Sequence, residues 1–85
     1  MWLHPCYPNP FNSTAVVEYT VPRATRVRLC LYDLPGKERR LLSDATVQPG
    51  THRLTLDSRD LATGMYFLVL QTPERKEVSK VLVLK

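Results

Sequence analysis

The chain lacks the features of several common protein classes. Its longest wholly apolar run is Met65 to Leu70, far below the roughly 18 residues that a membrane-spanning helix needs. The only histidines are His4 and His52, and no serine or cysteine stands at motif spacing to either, so a nucleophilic triad is not expected. The opening residues contain no basic stretch followed by an apolar one, which argues against a signal peptide. We therefore expect a chain that stays inside the cell or is a piece of a longer secreted protein.

Cysteine is scarce, because only Cys6 and Cys30 occur. A secreted destination would favour a disulfide bond, and a bridge that pins the start of the chain over the strand of Cys30 is conceivable. However, Cys30 falls on the outward side of that strand, and Cys6 precedes the core by several residues. Two free thiols are the favoured interpretation, and the disulfide is the alternative.

The length and the charge pattern exclude two further classes of protein. The 85 residues have room for one domain, and a multi-step enzyme with its own cofactor domain is not expected. The net charge of +4 comes from twelve basic and eight acidic residues that are interspersed along the chain. Because a nucleic-acid partner would require a basic cluster, we predict none. We also predict no cofactor and no small-molecule substrate.

Short segments rich in Val, Leu, Tyr and Thr predict an all-β fold. In Arg26 to Asp33, the residues Val27, Leu29 and Leu31 share one face of a strand and the arginines share the other. The other predicted strands are Thr14 to Thr20, Glu38 to Thr46, Thr51 to Asp57, Met65 to Thr72 and Glu77 to Leu84. We predict that the apolar face is buried together with Leu54, Leu56, Tyr66 and Leu68. In the strand that begins at Glu38, the adjacent Leu41 and Leu42 require that one faces water or that a bulge intervenes.

Turn chemistry supports this interpretation. Pro35-Gly36 and Pro49-Gly50 fit the central positions of type II turns, so both glycines should have positive φ. The fold class is therefore a small immunoglobulin-like antiparallel β-sandwich of six to seven strands. It occupies residues 14–85 and follows an extended, proline-rich lead-in over residues 1–13.

Two irregular segments contain several of the candidate site residues. In the string Tyr7 to Asn12, Phe11 would plug one end of the sandwich while Asn9 and Asn12 bond local backbone, or the string would be recognised by another protein. Asp57 and Asp60 lie three residues apart, but too few ligands accompany them for a metal site. We expect their oxygens to bond the backbone of a tight loop, with Leu61 tucked inward and Gly64 permitting re-entry into a strand.

Five motifs in order give the chain a family resemblance over residues 7 to 85. They are YPNPFN at 7–12, V-x-L-x-x-YD-x-x-G at Val27, Leu29, Tyr32, Asp33 and Gly36, G-x-H at Gly50 and His52, RDLA-x-G-x-Y-F at 59–67, and K-x-x-x-x-K at Lys80 and Lys85. The chain resembles the C-terminal sorting domain of cargo of the type IX (Por) secretion system, which is related to the immunoglobulin-like domain of the flagellar hook-capping protein. The chain departs from the family pattern at Arg39, Leu56 and Ser58, where members often have a small apolar residue, Trp and Gly.

The resemblance implies a non-catalytic sorting domain at the end of a secreted protein. Its partner would be the outer-membrane export machinery of a Gram-negative bacterium, and the protein would reach the cell surface after passing through the periplasm. The candidate partner-recognition residues are Pro8, Asn9, Pro10, Phe11, Lys80 and Lys85. The candidate structural motif residues are Tyr32, Asp33, Gly36, Gly50, Asp57, Asp60, Leu61, Gly64 and Tyr66.

Two alternatives remain open at this point. The first is an immunoglobulin-like structural subunit that assembles with copies of itself, or joins an extracellular or flagellar assembly, through edge strands. The second is an accessory carbohydrate-binding module, for which Trp2, Tyr19, Tyr32 and Tyr66 would have to form an exposed aromatic platform.

Overall fold

The computed structural model describes residues 2–85, and this part of the chain is all-β, without a helix. The strands are β1 Trp2–Leu3, β2 Thr14–Val21, β3 Thr25–Asp33, β4 Glu38–Val47, β5 Gly50–Asp57, β6 Gly64–Gln71 and β7 Lys76–Val83. All six predicted strands are confirmed, and each boundary lies within one residue of its prediction. The additional β1 is two residues long, which is too short for an alternating pattern to reveal it. No helix in residues 2–85 could cross a membrane.

The strands form two antiparallel sheets, which confirms the predicted sandwich. One sheet has the order β1-β2-β5 and the other the order β4-β3-β6-β7. The hairpins β3–β4 and β6–β7 stay within the four-stranded sheet, whereas the chain crosses between sheets after β2, β4 and β5. These crossovers give the Greek-key pattern of an immunoglobulin-like sandwich.

The core lies between the sheets and follows the alternation of the sequence. Val27, Leu29 and Leu31 of β3 have no exposed surface, while Arg26 on the opposite face is exposed. The rest of the predicted core set is buried as well, except Leu54, which is half-buried against the core. The predicted register of β3 is therefore correct, since a slip of one residue would turn the arginines inward.

A β-bulge in β4 resolves the adjacent leucines. Leu29 pairs with Ser43 and Cys30 pairs with Leu41, so Leu42 has no partner on β3. The extra residue shifts the alternation of side chains along the strand by one position. As a result, Leu42 packs against the core and Leu41 is 47% exposed.

Both glycines of the Pro-Gly turns have positive φ, 96° at Gly36 and 126° at Gly50. The position of the first turn differs from the prediction, because Gly36 donates its N–H to the Asp33 carbonyl at 2.9 Å. Gly36 is therefore the last residue of the turn and not a central one, as in hairpin loops where a glycine follows a turn. The segment before Gly50 does not close a hairpin, because it carries the chain from β4 to β5 in the other sheet.

Candidate recognition surface at the lead-in and the last strand

Residues 9–11 of the lead-in pack along the outer edge of β7. Phe11 forms a parallel bridge with Val83, in which the Phe11 N–H donates to Leu82 at 3.1 Å and the Phe11 carbonyl accepts from Leu84 at 2.9 Å. The Phe11 side chain is only 3% exposed and belongs to the core. The lead-in thus acts as a short additional strand beside β7 and covers backbone groups that an edge strand would otherwise expose.

Asn9 continues this pairing with its side chain. Its Nδ2 donates to the Lys80 carbonyl at 3.1 Å, and its Oδ1 accepts from the Leu82 N–H at 3.0 Å. The flanking Pro8 and Pro10 have no N–H to offer to a neighbouring strand. The Asn9 amide, which carries both a donor and an acceptor, takes the place of a backbone peptide group there.

The same segment also contacts the three-stranded sheet. Tyr7 exchanges two backbone hydrogen bonds with Val16 of β2, at 3.1 and 2.7 Å. Earlier in the chain, the Leu3 N–H donates to Glu77 Oε1 on β7 at 3.0 Å. The chain therefore passes from one sheet to the other within a few residues and closes one side of the sandwich.

Five of the six candidate recognition residues are exposed. Pro8, Asn9 and Pro10 are exposed beside Lys80, and Lys85 follows Leu84, the residue bonded to Phe11. We call these five residues, 8–10, 80 and 85, the lead-in surface. The sixth candidate, Phe11, is buried, so it anchors this surface without being part of it.

The Asp57 to Asp60 loop is built from internal hydrogen bonds. Asp57 Oδ1 accepts from the Arg59 N–H and from Arg40 Nη1, each at 3.1 Å, and Arg40 also donates to the backbone carbonyls of Asp57 and Arg59. Desolvation raises the pKa of Asp57, but the Arg59 N–H bond and the charges of Arg40 and Arg59 outweigh it and hold the pKa below its usual value.

The same loop is fixed to the core at both ends. Asp60 has a positive φ of 64°, and Leu61 is 4% exposed within the core cluster. Ser58 is buried, and its Oγ donates to the Asn12 carbonyl at 2.6 Å, which ties the loop to the end of the lead-in. Within residues 2–85 no three His, Cys, Asp or Glu side chains are close enough to hold a metal ion.

Asp33 organises the β3–β4 turn in a similar way. Its carboxylate accepts from the Lys37 N–H at 2.7 Å and from Arg39 Nε at 2.8 Å. Desolvation raises the pKa of Asp33, but these two hydrogen bonds and the Arg39 charge outweigh it and lower the pKa. Arg39, which departs from the family pattern, therefore has a partner in this chain.

A model of the secretion system C-terminal sorting domain matches residues 5–84. The match spans both sheets and the lead-in from Pro5 onward. The chain belongs to this family. The comparison with curated proteins gives no match, and neither does the comparison with solved structures.

Membership makes the chain a C-terminal sorting domain for secretion, as the resemblance implied, and places the protein outside the bacterial cell or on its surface. The relation to the flagellar hook-capping protein stays a prediction. The carbohydrate-binding alternative loses its platform, because Tyr19 and Tyr66 are 1% and 6% exposed in the core. Trp2 and Tyr32, on different sheets, cannot form it alone.

The two cysteines of the sorting domain are free thiols. Cys6 belongs to the core cluster between the sheets, whereas Cys30 lies on the outer side of β3, where its Sγ is 3.6 Å from Glu38 Oε1. Burial raises the pKa of both thiols, which keeps them protonated and poorly reactive at neutral pH.

The sequence did not reveal two contacts of the sorting domain. Arg40 pairs with the buried Leu31 in register and reaches the loop at the end of β5. A charged residue two positions before the core-facing Leu42 was the only sequence signal for this contact. The bond from Leu3 to Glu77 joins residues 74 positions apart, and no local pattern indicates it.

Proposed function

We propose that the sorting domain is a non-catalytic export tag whose lead-in surface binds the outer-membrane export machinery. In this proposal the machinery belongs to a Gram-negative bacterium and carries the protein from the periplasm to the cell surface. The observation that carries the proposal is the double hydrogen bond of Asn9 with the backbone of β7. It joins the opening string and the closing strand, which are far apart in the sequence, into one surface.

The physical character of the lead-in surface suits recognition by a protein. Two prolines fix the backbone on either side of Asn9, and hydrogen bonds hold Asn9 on β7. A surface that is already rigid loses little conformational entropy on binding. Lys80 and Lys85, which belong to this surface, are exposed, and their ammonium groups can attract acidic groups of a partner.

The alternative of a structural subunit that assembles through edge strands has less support. One of the edges, β7, is covered over Lys80 to Leu84 by the lead-in. The outer strands β4 and β5 could still pair with another chain. The export experiment distinguishes this alternative from sorting.

The test is a fusion of the 85-residue chain to a periplasmic reporter in a bacterium with type IX secretion. We expect the reporter at the cell surface. The variant Lys80→Gln/Lys85→Gln keeps the apolar residues of β7 and removes only charge, so we expect a folded domain whose export is reduced. The matched control is Lys37→Gln/Arg75→Gln, which removes two positive charges away from the lead-in surface and should be exported normally.

Two results would contradict the proposal in different ways. If the folded Lys80 and Lys85 variant is exported as well as the parent, the lysines contribute solubility and not recognition. If the unmutated fusion stays in the periplasm, the export role itself falls and assembly through edge strands becomes the better account.

A second comparison tests the lead-in directly. Asn9→Ala removes both side-chain hydrogen bonds to β7, and we expect it to reduce export while the sandwich remains folded. Asn12→Ala is the matched control, because Asn12 accepts the Ser58 bond through its backbone carbonyl. Equal export of both variants would show that the lead-in surface is not what the machinery reads.

A further inference from the structure

The outer face of the four-stranded sheet carries an apolar band between two partly charged rows. In register across the sheet, Leu41, Cys30, Val69 and Val78 form one continuous apolar row. Its two end residues, Leu41 and Val78, are 47% and 56% exposed. Beside this row lie Tyr32 and Phe67, and beyond them Met65 and Leu82 pair with each other. The two central residues, Cys30 and Val69, are 2% and 9% exposed, so the exposed apolar surface of this row lies at its two ends. Exposed apolar side chains grouped on one face mark a candidate interaction site.

The charges at the two edges of this face have opposite signs. On β4 the rows end in the acidic Asp44 and Glu38, and on β7 the same two rows end in Lys76 and Lys80. All four residues are exposed. The face therefore carries acids along its β4 edge and lysines along its β7 edge, with Arg26 and Arg28 of β3 beside the acids.

We propose that a second copy of this chain packs on this face to form a symmetric dimer. The two-fold axis runs along the strands, between β3 and β6. Rotation about this axis keeps each row in place and exchanges its two ends, so β4 of one copy faces β7 of the other. Sheets that pack face to face lie about 10 Å apart with aligned strands, which places side chains of facing rows in contact.

The symmetry matches the three rows that cross all four strands. Asp44 faces Lys76 of the second copy, and Glu38 faces Lys80. Leu41 faces Val78, and the central residues of the apolar row face one another. An interface of two identical surfaces must be self-complementary in this way, and a partner without the same pattern of charges would leave some of them unmatched.

The local ion pairs are compatible with this arrangement. Glu38 bonds Arg28 at 2.9 Å and Asp44 bonds Arg26 at 2.9 Å within the same copy. Each carboxylate has two oxygens that can accept more than one hydrogen bond. The acids can therefore keep their arginine partners and also receive a lysine from the second copy.

The experiment is sedimentation of the purified 85-residue chain from micromolar to millimolar concentration. We expect a reversible dimer. Because Lys80 also belongs to the lead-in surface, purified protein is used so that no export component is present. Val78→Lys places a charge in the apolar row and should abolish the dimer, whereas Thr55→Lys, on the exposed face of the other sheet, should leave it unchanged.

Charge reversal gives the sharpest test. Lys76→Glu/Lys80→Glu and Glu38→Lys/Asp44→Lys each bring like charges together in a homodimer, and each should raise the dissociation constant by about tenfold or more. Mixed in equal amounts, the two variants should form a heterodimer, because every facing pair is then of opposite sign. Native mass spectrometry distinguishes the heterodimer by mass, and circular dichroism confirms that each variant is folded.

Three results would overturn the proposal. The first is a parent chain that is monomeric at millimolar concentration, which would assign the face to a different molecule. The second is a folded Val78→Lys variant that dimerises like the parent. The third is a mixture of the charge-reversed variants that associates no better than either variant alone.

Discussion

The hydroxyl group of Tyr66 donates a 2.6 Å hydrogen bond to the backbone carbonyl of Ala62, four residues earlier in the chain. Tyr66 stands near the start of β6 and its ring is buried in the core. This is the tyrosine corner of immunoglobulin-like domains, in which a tyrosine at the corresponding strand fixes the loop before it. The RDLA-x-G-x-Y-F string thus encodes a loop together with the bond that holds it.

We expect Tyr66→Phe to lower the free energy of unfolding by about 1 kcal/mol, since it removes this hydrogen bond and leaves the ring in place. Urea denaturation of parent and variant measures the difference. Tyr7→Phe, at a tyrosine that is 48% exposed, is the control and should change stability little. Equal stability of the Tyr66 variant and the parent would mean that water replaces the bond at no cost.

The bond from Ser58 to Asn12 provides a second prediction. Ser58→Ala removes the donor of the partly buried bond to the Asn12 carbonyl, which should cost about 1 kcal/mol. Ser13→Ala is the matched control, because Ser13 is exposed and contacts Ser58 through its backbone carbonyl. Both differences can be measured by chemical denaturation, and a loss as large in the control would argue against the Ser58 side chain as the cause.

At Gly36, the prediction concerns backbone conformation. Nothing lies within 4 Å of the position that a Cβ would occupy, but φ is 96°, a region that strains residues with a side chain. We expect Gly36→Val to destabilise the domain by about 1 to 3 kcal/mol, and Gly36→Asn to cost less because asparagine tolerates positive φ better. Thermal unfolding orders the three proteins, and equal melting temperatures for Val and Asn would show that the turn relaxes.

The Asp33 carboxylate should make stability depend on pH. Because its pKa is lowered in the folded state, its contribution is present above the unfolded pKa of about 3.9 and is lost as the pH falls through the folded value. Asp33→Asn should therefore melt below the parent at pH 7, and the difference should shrink in acid.

The control for this prediction is Asp60→Asn, which removes one negative charge without touching the β3–β4 turn. Its melting temperature should differ little from the parent at either pH. A gap between Asp33→Asn and the parent that stays constant down to about pH 2, below the unfolded pKa, would contradict the linkage.

Local patterns of the sequence predicted the strands, because each strand has one buried face. Val27, Leu29 and Leu31 show the alternation directly, and the adjacent Leu41 and Leu42 predicted either an exposed leucine or a bulge, both of which the structure contains. The turn at Gly36 was misplaced by one residue, since a Pro-Gly pair fits two turn positions and only the Asp33 hydrogen bond decides between them.

The same local patterns could not predict the long-range pairings. The lead-in has no periodicity, and its partner strand lies about 70 residues away, so nothing local indicates that Asn9 bonds Leu82. The rows of the outer sheet face likewise depend on register between four strands. Asp44 and Lys76 share a row only because β3 and β6 align them.

The docking of the lead-in on β7 also sets the order of events in folding. Residues 9–11 precede every long strand, yet they find their backbone partners only when residues 80–84 exist. During synthesis from the amino terminus, the lead-in must wait unpaired until the last strand has been made. The lead-in surface therefore forms only when the whole domain has been synthesised, and a chain that stops before β7 does not form it.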